Sequence, residues 1–386
     1  MIIRNHPFRP NNEVHLLQSG TAYFSKLEQL INEAVESIHI QVYIFNNDHT
    51  GKRILDALLA AVDRGVEVYL VVDAYASKDF TNPFIDFLHN KGLHVKRFAP
   101  LHLQRLRIGR RLHHKIVLVD GHTALVGGIN IADHYSGYDG HTPWMDVAVV
   151  SDGPVVYDLK KICYANWPKR IRKKWKKQPP KVRLHKPGKK IRVLQNDWWR
   201  RRIEISSAYN AAIRNAQEEL IIVTNYFLPG FTKRRLLKKA ADRGVKVSLI
   251  TAHDTDIPFM NAAIKYSYGV LLKNKIDVYE WNKSVLHAKM LVADKKWSTI
   301  GSYNVNALSD YGSLEVNLLV EDESFGNETH AFLESIILEG STKVDAEAFF
   351  KSTNYIKQAY RWASYKLMRV LLLILFILMN RDKLKQ

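Results

Sequence analysis

Residues 112–130 read LHHKIVLVDGHTALVGGIN, and they decide the fold. From Ile116 to Val119 the run is apolar on both faces, as a buried central strand requires. Asp120-Gly121 supplies turn chemistry, and TALVGG returns as the partner strand. Yet the first strand opens with His113 and Lys115, two residues apart and therefore on one face. An imidazole and an ammonium aimed at one spot from an apolar strand call for a chemical reason.

Further along, residues 286–304 repeat the stretch as LHAKMLVADKKWSTIGSYN. His287 and Lys289 again share a face, and Asp294 follows the histidine at the distance that separates Asp120 from His113. A Gly-x-x-Asn then ends each copy, at 127–130 and at 301–304. The pattern H-x-K-x4-D-x6-G-[GS]-x-N thus occurs twice without a gap. The flanks repeat as well. SIHIQVYIF, a helix ending in Asp-Arg-Gly-Val, and VEVYLVVDAY in residues 37–75 are echoed by ELIIVTNYF, another Asp-Arg-Gly-Val helix and VKVSLITAHD in 219–254. Gly65 and Gly244 stand where a helix C-terminus needs positive φ. Strand–helix–strand twice over predicts an α/β protein of two similar halves with mostly parallel sheets flanked by helices.

On these paired motifs the chain resembles the phospholipase D superfamily, over about residues 14–340. The resemblance implies one active site at the interface of the halves and phosphodiester chemistry without a metal or other cofactor. His113, Lys115, Asp120, His287, Lys289 and Asp294 form the candidate catalytic set. Lysines place positive charge where a phosphoryl transition state gathers negative charge, and Asn130 and Asn304 add neutral donors for the substrate phosphate. A histidine pair near neutral pH can hold one neutral and one protonated ring. The neutral one attacks phosphorus to give a phosphohistidine; the other protonates the leaving alkoxide and then deprotonates the incoming alcohol or water. By resemblance His113 is the nucleophile and His287 the general acid/base.

Each histidine needs a carboxylate to fix its tautomer. Asp120 and Asp294 lie an odd number of residues from their histidines, on the opposite strand face, and read as mainly structural. Asp146 in WMDVAVV and Glu315 in SLEVNLLV, lone acids on the next strand of each half, are the expected histidine-orienting groups. His114 is answered by Ala288 and reads as a packing or surface histidine. His102, His122, His134 and His141 lack the spacing of a zinc site. Arg105, Arg107, Arg110 and Arg111 line an anionic entrance or a solvated loop.

Composition narrows the substrate. The 386 residues carry a net charge of +19, and between positions 169 and 202 sixteen Lys and Arg face one acid. That stretch, with Trp167, Trp175, Trp198 and Trp199 in or beside it, reads as a solvated basic linker or as a polyanion surface. Interfacial tryptophans favour lipid headgroups over nucleic acid. One cysteine, Cys163, excludes a disulfide framework. The opening residues MIIRNHPFRPNNEV lack the apolar core of a secretory signal and read as uncleaved and cytosolic. Near the carboxyl end Lys357, Arg361, Lys366 and Arg369 precede a wholly apolar run, residues 370–379. Ten residues reach only about 15 Å as a helix, short of a bilayer core of roughly 30 Å. A buried core helix is one reading; an interfacial helix fits the basic collar better, with Tyr355, Tyr360, Trp362 and Tyr365 at headgroup level.

The expected organisation is a first half at 1–165, a basic linker at 166–202, a second half at 203–345 and a membrane-associating tail at 346–386. Joined to that tail and stretch, the paired motifs resemble those of bacterial cardiolipin synthases, although the two amino-terminal membrane helices common there are not in this sequence. The resemblance implies transfer of a phosphatidyl group between two phosphatidylglycerol molecules with release of glycerol, at the cytoplasmic face of a bacterial inner membrane. The partners would be the anionic lipid substrate and the membrane surface. Competing readings are a phospholipase D hydrolase, a nuclease or phosphodiesterase of the same superfamily, and a non-catalytic lipid-binding scaffold, against which both intact motifs argue.

Overall fold

The computed structural model describes residues 6–100, 110–176, 182–253 and 258–384. The chain forms two compact units, and they do not follow the sequence halves strictly. The first comprises residues up to Leu194 together with Ile300–Ser302 and Leu314–Leu319; the second comprises Gln195–Thr299, Tyr303–Ser313 and everything from Val320 on.

In the first unit the strands are β1 (Arg9–Gln18), β2 (Ser37–Val42), β3 (Glu67–Asp73), β4 (His94–Phe98), β5 (Arg111–Leu112), β6 (Ile116–Val119), β7 (Thr123–Gly127), β8 (Val147–Asp152) and most of β9 (Lys189–Asp197). Here β2, β3 and β4 are parallel neighbours. The motif hairpin β6–β7 and the outer strands β8 and β1 continue the sheet antiparallel, β6 pairing with β2. The sheet is thus mixed, because only the strand–helix–strand part demands a parallel crossover. Around it lie α1 (Thr21–Glu33), α2 (His49–Asp63), α3 (Asn82–Asn90), α4 (Asp133–Ser136), α5 (Val155–Ala165) and α6 (Lys169–Lys176). Ile38, Ile40, Leu58, Leu70 and Val117 are among the buried side chains that join helices to sheet.

The second unit repeats the plan. A short β10 (Arg202–Ile203) pairs with the end of β9. Then β11 (Glu219–Val223), β12 (Lys246–Ala252) and β13 (Asp277–Trp281) lie parallel, with β14 (Met290–Ala293) antiparallel to β11. Two further strands, β15 (Trp297–Gly301) and β16 (Ser313–Glu321), divide between the units, and β17 (Ser341–Lys343) edges β13. The helices are α7 (Glu204–Asn215), α8 (Phe231–Asp242), α9 (Pro258–Lys273), α10 (Ala307–Tyr311), α11 (Glu323–Gly340), α12 (Ala346–Lys351) and α13 (Tyr355–Leu384).

The shared Asp-Arg-Gly-Val does one job in both units. Gly65 at φ +89° and Gly244 at φ +91° turn the chain out of α2 and α8. Val66 and Val245 then bond back to the carbonyls of Ala61 and Ala240. Arg64 and Arg243 reach the preceding helix, donating to the carbonyls of Ile31 (2.8 Å) and Ile213 (3.2 Å).

Two expectations change here. The basic stretch is folded over its described residues: α6 seats Trp175, and Trp167 is buried beside it. Trp175 lies edge-on to His39 (4.7 Å) and Tyr69 (4.7 Å) and stacks on Tyr164 (4.0 Å). These two indoles therefore dock a helix and do not meet headgroups; their apolar area is worth more in the cluster than at a wet surface. In the tail, α13 is one helix of 30 residues, about 45 Å long, packed along α9. Tyr365 is buried against Tyr266 at 4.9 Å with Arg234 over its ring, so it too leaves the expected headgroup set. Tyr355, Tyr360 and Trp362 are exposed. Among the described residues no helix is long and apolar enough to cross a membrane.

Candidate active site

Both motif histidines stand just outside the strands the alternation predicted. β6 begins at Ile116 and β14 at Met290, so His113 to Lys115 and His287 to Lys289 are lead-ins to the ladders. The reason is a change of partner. The His113 N–H donates to the carbonyl of Leu314 (3.0 Å), while the Lys115 carbonyl already accepts from Gly127 (3.3 Å). Asp73 secures the approach. Its carboxylate is fully buried and accepts from the Leu112 N–H (2.8 Å) and from Arg111 (3.2 Å). Burial pushes this acid's pKa up, while Arg111 and backbone donors oppose the rise. Arg111 is thus a buried ion-pair partner, not an entrance residue; His102, Arg105 and Arg107 lie outside the described residues.

His113 Nδ1 lies 2.8 Å from Glu315 Oε2, and that oxygen also accepts from the Ser302 hydroxyl at 2.5 Å. Ser302 Oγ in turn accepts from the Val316 N–H (3.1 Å). A carboxylate oxygen at Nδ1 favours the tautomer that carries the proton there. Glu315 is fully buried, and the His113 side chain remains 15% exposed. The partner of His113 thus comes from the second sequence repeat, not from the next strand of its own half. Asp146, the acid expected there, is fully buried, with Oδ1 accepting from the Val147 N–H at 2.8 Å.

Lys115 and Lys289 do the same thing in each copy: Nζ donates to the carbonyl of the histidine two residues earlier, at 3.0 Å in the first. Both lysines are buried. Lys115 also lies over the ring of Tyr43 (5.2 Å), which meets His113 edge-on at 5.0 Å. Tyr43 was invisible to motif reading because it sits in an ordinary apolar strand exit. Asp73 and Ser302 escaped for similar reasons, since neither falls on a repeated position with an unusual residue type.

Asp120 and Asp294 turn away from the imidazoles. The Asp120 carboxylate accepts from the N–H groups of Val35 (3.0 Å), Glu36 (2.7 Å) and Ser37 (2.9 Å). Asp294 accepts from Gln217 (3.0 Å), Glu218 (2.9 Å) and Glu219 (3.0 Å). Each stands in the left-handed region, at φ 49° and φ 51°, and ties its hairpin turn to the start of the strand beside it. The asparagines differ. Asn130 accepts from the Ile44 N–H (3.1 Å) and donates to the Tyr135 hydroxyl (2.8 Å), whereas Asn304 accepts from Thr224 at 3.5 Å. His114 is a packing histidine, buried against Gln41 at 3.2 Å. Among the described residues no group of His, Cys, Asp and Glu is arranged to hold a metal.

Two α/β units with repeated histidine–lysine lead-ins define a phospholipase D-like protein. A family model described as "Cardiolipin synthase, PLD-like domain" matches residues 27–143 and 209–337. Cardiolipin synthase B of Escherichia coli K12 is 32% identical over 353 residues, covering 90% of this chain and 85% of that one. The major cardiolipin synthase of Bacillus subtilis is 29% identical over 337 residues, covering 83% and 68%. In fold, the crystal structure of phosphatidylserine synthase from Haemophilus influenzae is similar over 97% of both chains, with a TM-score of 0.72 at 15% identity. The chain belongs to the cardiolipin synthase family of phospholipase D-like proteins.

Proposed function

We propose that the protein is a phosphatidyltransferase that makes cardiolipin from two phosphatidylglycerol molecules and releases glycerol. The observation that carries this reading is the His113–Glu315 contact, which fixes the tautomer that exposes a nucleophilic nitrogen in a chain of this family. His113 Nε2 attacks phosphorus and the bond to the first glycerol breaks, leaving a phosphatidyl-histidine. His287 gives that glycerol oxygen its proton, then takes the proton from the hydroxyl of a second phosphatidylglycerol as that oxygen displaces the histidine. Proton and phosphoester bond are conserved over the cycle, so the transfer needs no nucleotide. Lys115 and Lys289 supply the positive field for the phosphoryl oxygens. The protein works at a membrane surface, held by the exposed apolar and aromatic side chains of α13, which include Tyr355, Trp362 and Leu371.

The test is turnover by the purified protein in vesicles of phosphatidylglycerol and phosphatidylethanolamine without added metal, read by lipid mass spectrometry beside a His113→Ala control. Cardiolipin made only by the intact protein is the expected result. Phosphatidic acid alone would replace the transferase with a hydrolase. No lipid turnover, together with cleavage of DNA or RNA, would overturn the lipid reading.

A further inference from the structure

The second unit contains a groove of about 720 Å³ between α13 and the elements α7, α8 and α10, within the roughly 300–1,000 Å³ usual for ligand pockets. On α13 the wall includes Lys366, Arg369, Val370 and Leu373, whose i, i+3, i+4, i+7 spacing defines one helix face. A second face, with Tyr365 and Met368, is buried, and Leu372 lines the edge between it and the groove. A third, with Leu367, Leu371, Ile374 and Leu375, is exposed and apolar. Across the groove stand Ile203 and Phe231, 43% and 69% exposed, with Trp198 beside them.

The charges on this wall are not equivalent. Lys233 is buried, donates to the Ser206 hydroxyl (2.6 Å) and lies 3.4 Å from Asp310, so it is neutralised inside the fold. Lys366 and Arg369 are exposed and have no carboxylate within ion-pair distance among the described residues. They lie over the rings of Trp362 and Tyr365, each at 5.8 Å. An apolar trough edged by two unneutralised cations, continuous with an exposed apolar helix face, suits a ligand with a long hydrocarbon part and an anionic head. An acidic peptide would satisfy the cations, but it would leave the apolar face of α13 in water. Leu228 on the wall donates its N–H to the carbonyl of Val305 (3.0 Å), so the groove borders the segment that follows Asn304.

We propose that this groove binds one intact anionic phospholipid, an acyl chain along Ile203, Phe231, Val370 and Leu373 and the phosphate on Lys366 and Arg369. This lipid does not react; its phosphate is held by Lys366 and Arg369 of the tail helix. It fixes α13 against α7, α8 and α10 and seats the second unit in the leaflet.

The full-length protein in vesicles of phosphatidylcholine is given a trace of phosphatidylglycerol whose acyl chain carries a diazirine. After irradiation the adducts are located by peptide mass spectrometry. Labels on Ile203, Phe231 and Leu373 are expected, displaced by excess phosphatidylglycerol roughly ten-fold more effectively than by phosphatidylcholine. Lys366→Ser with Arg369→Ser should abolish that preference. Ser207→Trp, which places an indole in the groove from an exposed position, should reduce groove labels to background while labels on Leu371 and Ile374 persist. Labels confined to Leu371 and Ile374, or unchanged by Ser207→Trp, would overturn the proposal. So would displacement by an acidic peptide in place of lipid. Cardiolipin production is measured in parallel. An unlabelled groove in an active protein removes this inference and leaves the reaction standing, and a labelled groove without product does the reverse.

Discussion

The two copies of the motif share their skeleton and part at the residue after the first turn glycine. In each, a Cβ on that glycine would meet backbone: the carbonyl of Val147 at 2.4 Å from Gly127, and of Val316 at 2.3 Å from Gly301. The next residue is Gly128 in one and Ser302 in the other. At Gly128 a Cβ would lie 2.3 Å from an Asp146 oxygen, so only glycine admits that carboxylate. At Ser302 a hydroxyl donates to Glu315. One position therefore serves a carboxylate by making room in the first copy and by giving a proton donor in the second. Repeated sequence keeps the frame, and small departures seat the acids.

The most severe way to break the symmetry is to remove the imidazoles. His113→Ala and His287→Ala should each lower cardiolipin formation by roughly 10⁴-fold or more, as for residues acting as one unit. They should differ on a phosphatidyl ester of p-nitrophenol, whose leaving group needs no acid. His287→Ala is expected to keep the first burst of nitrophenolate and His113→Ala to lose it; the opposite pattern would exchange the two roles. Glu315→Gln comes next. It should reduce kcat by roughly 10²–10⁴-fold with little change in KM, because a neutral amide no longer selects the Nδ1–H tautomer. A variant with full kcat would show that the contact at 2.8 Å is only packing.

Asp120→Ala and Asp294→Ala probe what the copies have in common. Each strands three backbone N–H groups, and should cost about 2–4 kcal/mol in urea unfolding, in similar amount for both. A large difference between them would end the claim of equal structural roles. Exchanging the tuned position separates the copies again. Ser302→Gly should reduce kcat about ten-fold for one lost hydrogen bond, while Gly128→Ser should cost about 1–3 kcal/mol of stability through overpacking. If both simply lowered stability, Ser302 would have no part in orienting Glu315.

A further difference between the copies lies in the cores. His39 stacks on Tyr69 at 4.8 Å in the first unit, where β11 of the second has Ile221 at the matching strand position. Burial, with Lys160 adding to it, pushes the His39 pKa down to about 3. Between the ordinary value near 6.5 and that point the unfolded chain binds a proton the folded chain refuses. Stability is therefore full above about pH 6.5 and falls toward pH 3, by up to about 1.4 kcal/mol per unit. His39→Ile should flatten this slope, and melting curves across that range read it directly.

The sequence by itself determined whatever is written at short range. Two H-x-K-x4-D-x6-G-[GS]-x-N copies identified the hairpins, and the Asp-Arg-Gly-Val endings marked the helix stops. Periods of two and 3.6 residues survive in any one segment, so they can be read without the rest of the chain. Tertiary structure decided which acid met which histidine. Glu315 lies about 200 residues from His113, and its segment Leu314–Leu319 folds with the first unit. It also decided that Trp175 and Tyr365 would be buried and that α13 would wall a groove. Such pairings depend on where the chain crosses in space, and neither local periodicity nor composition carries that information.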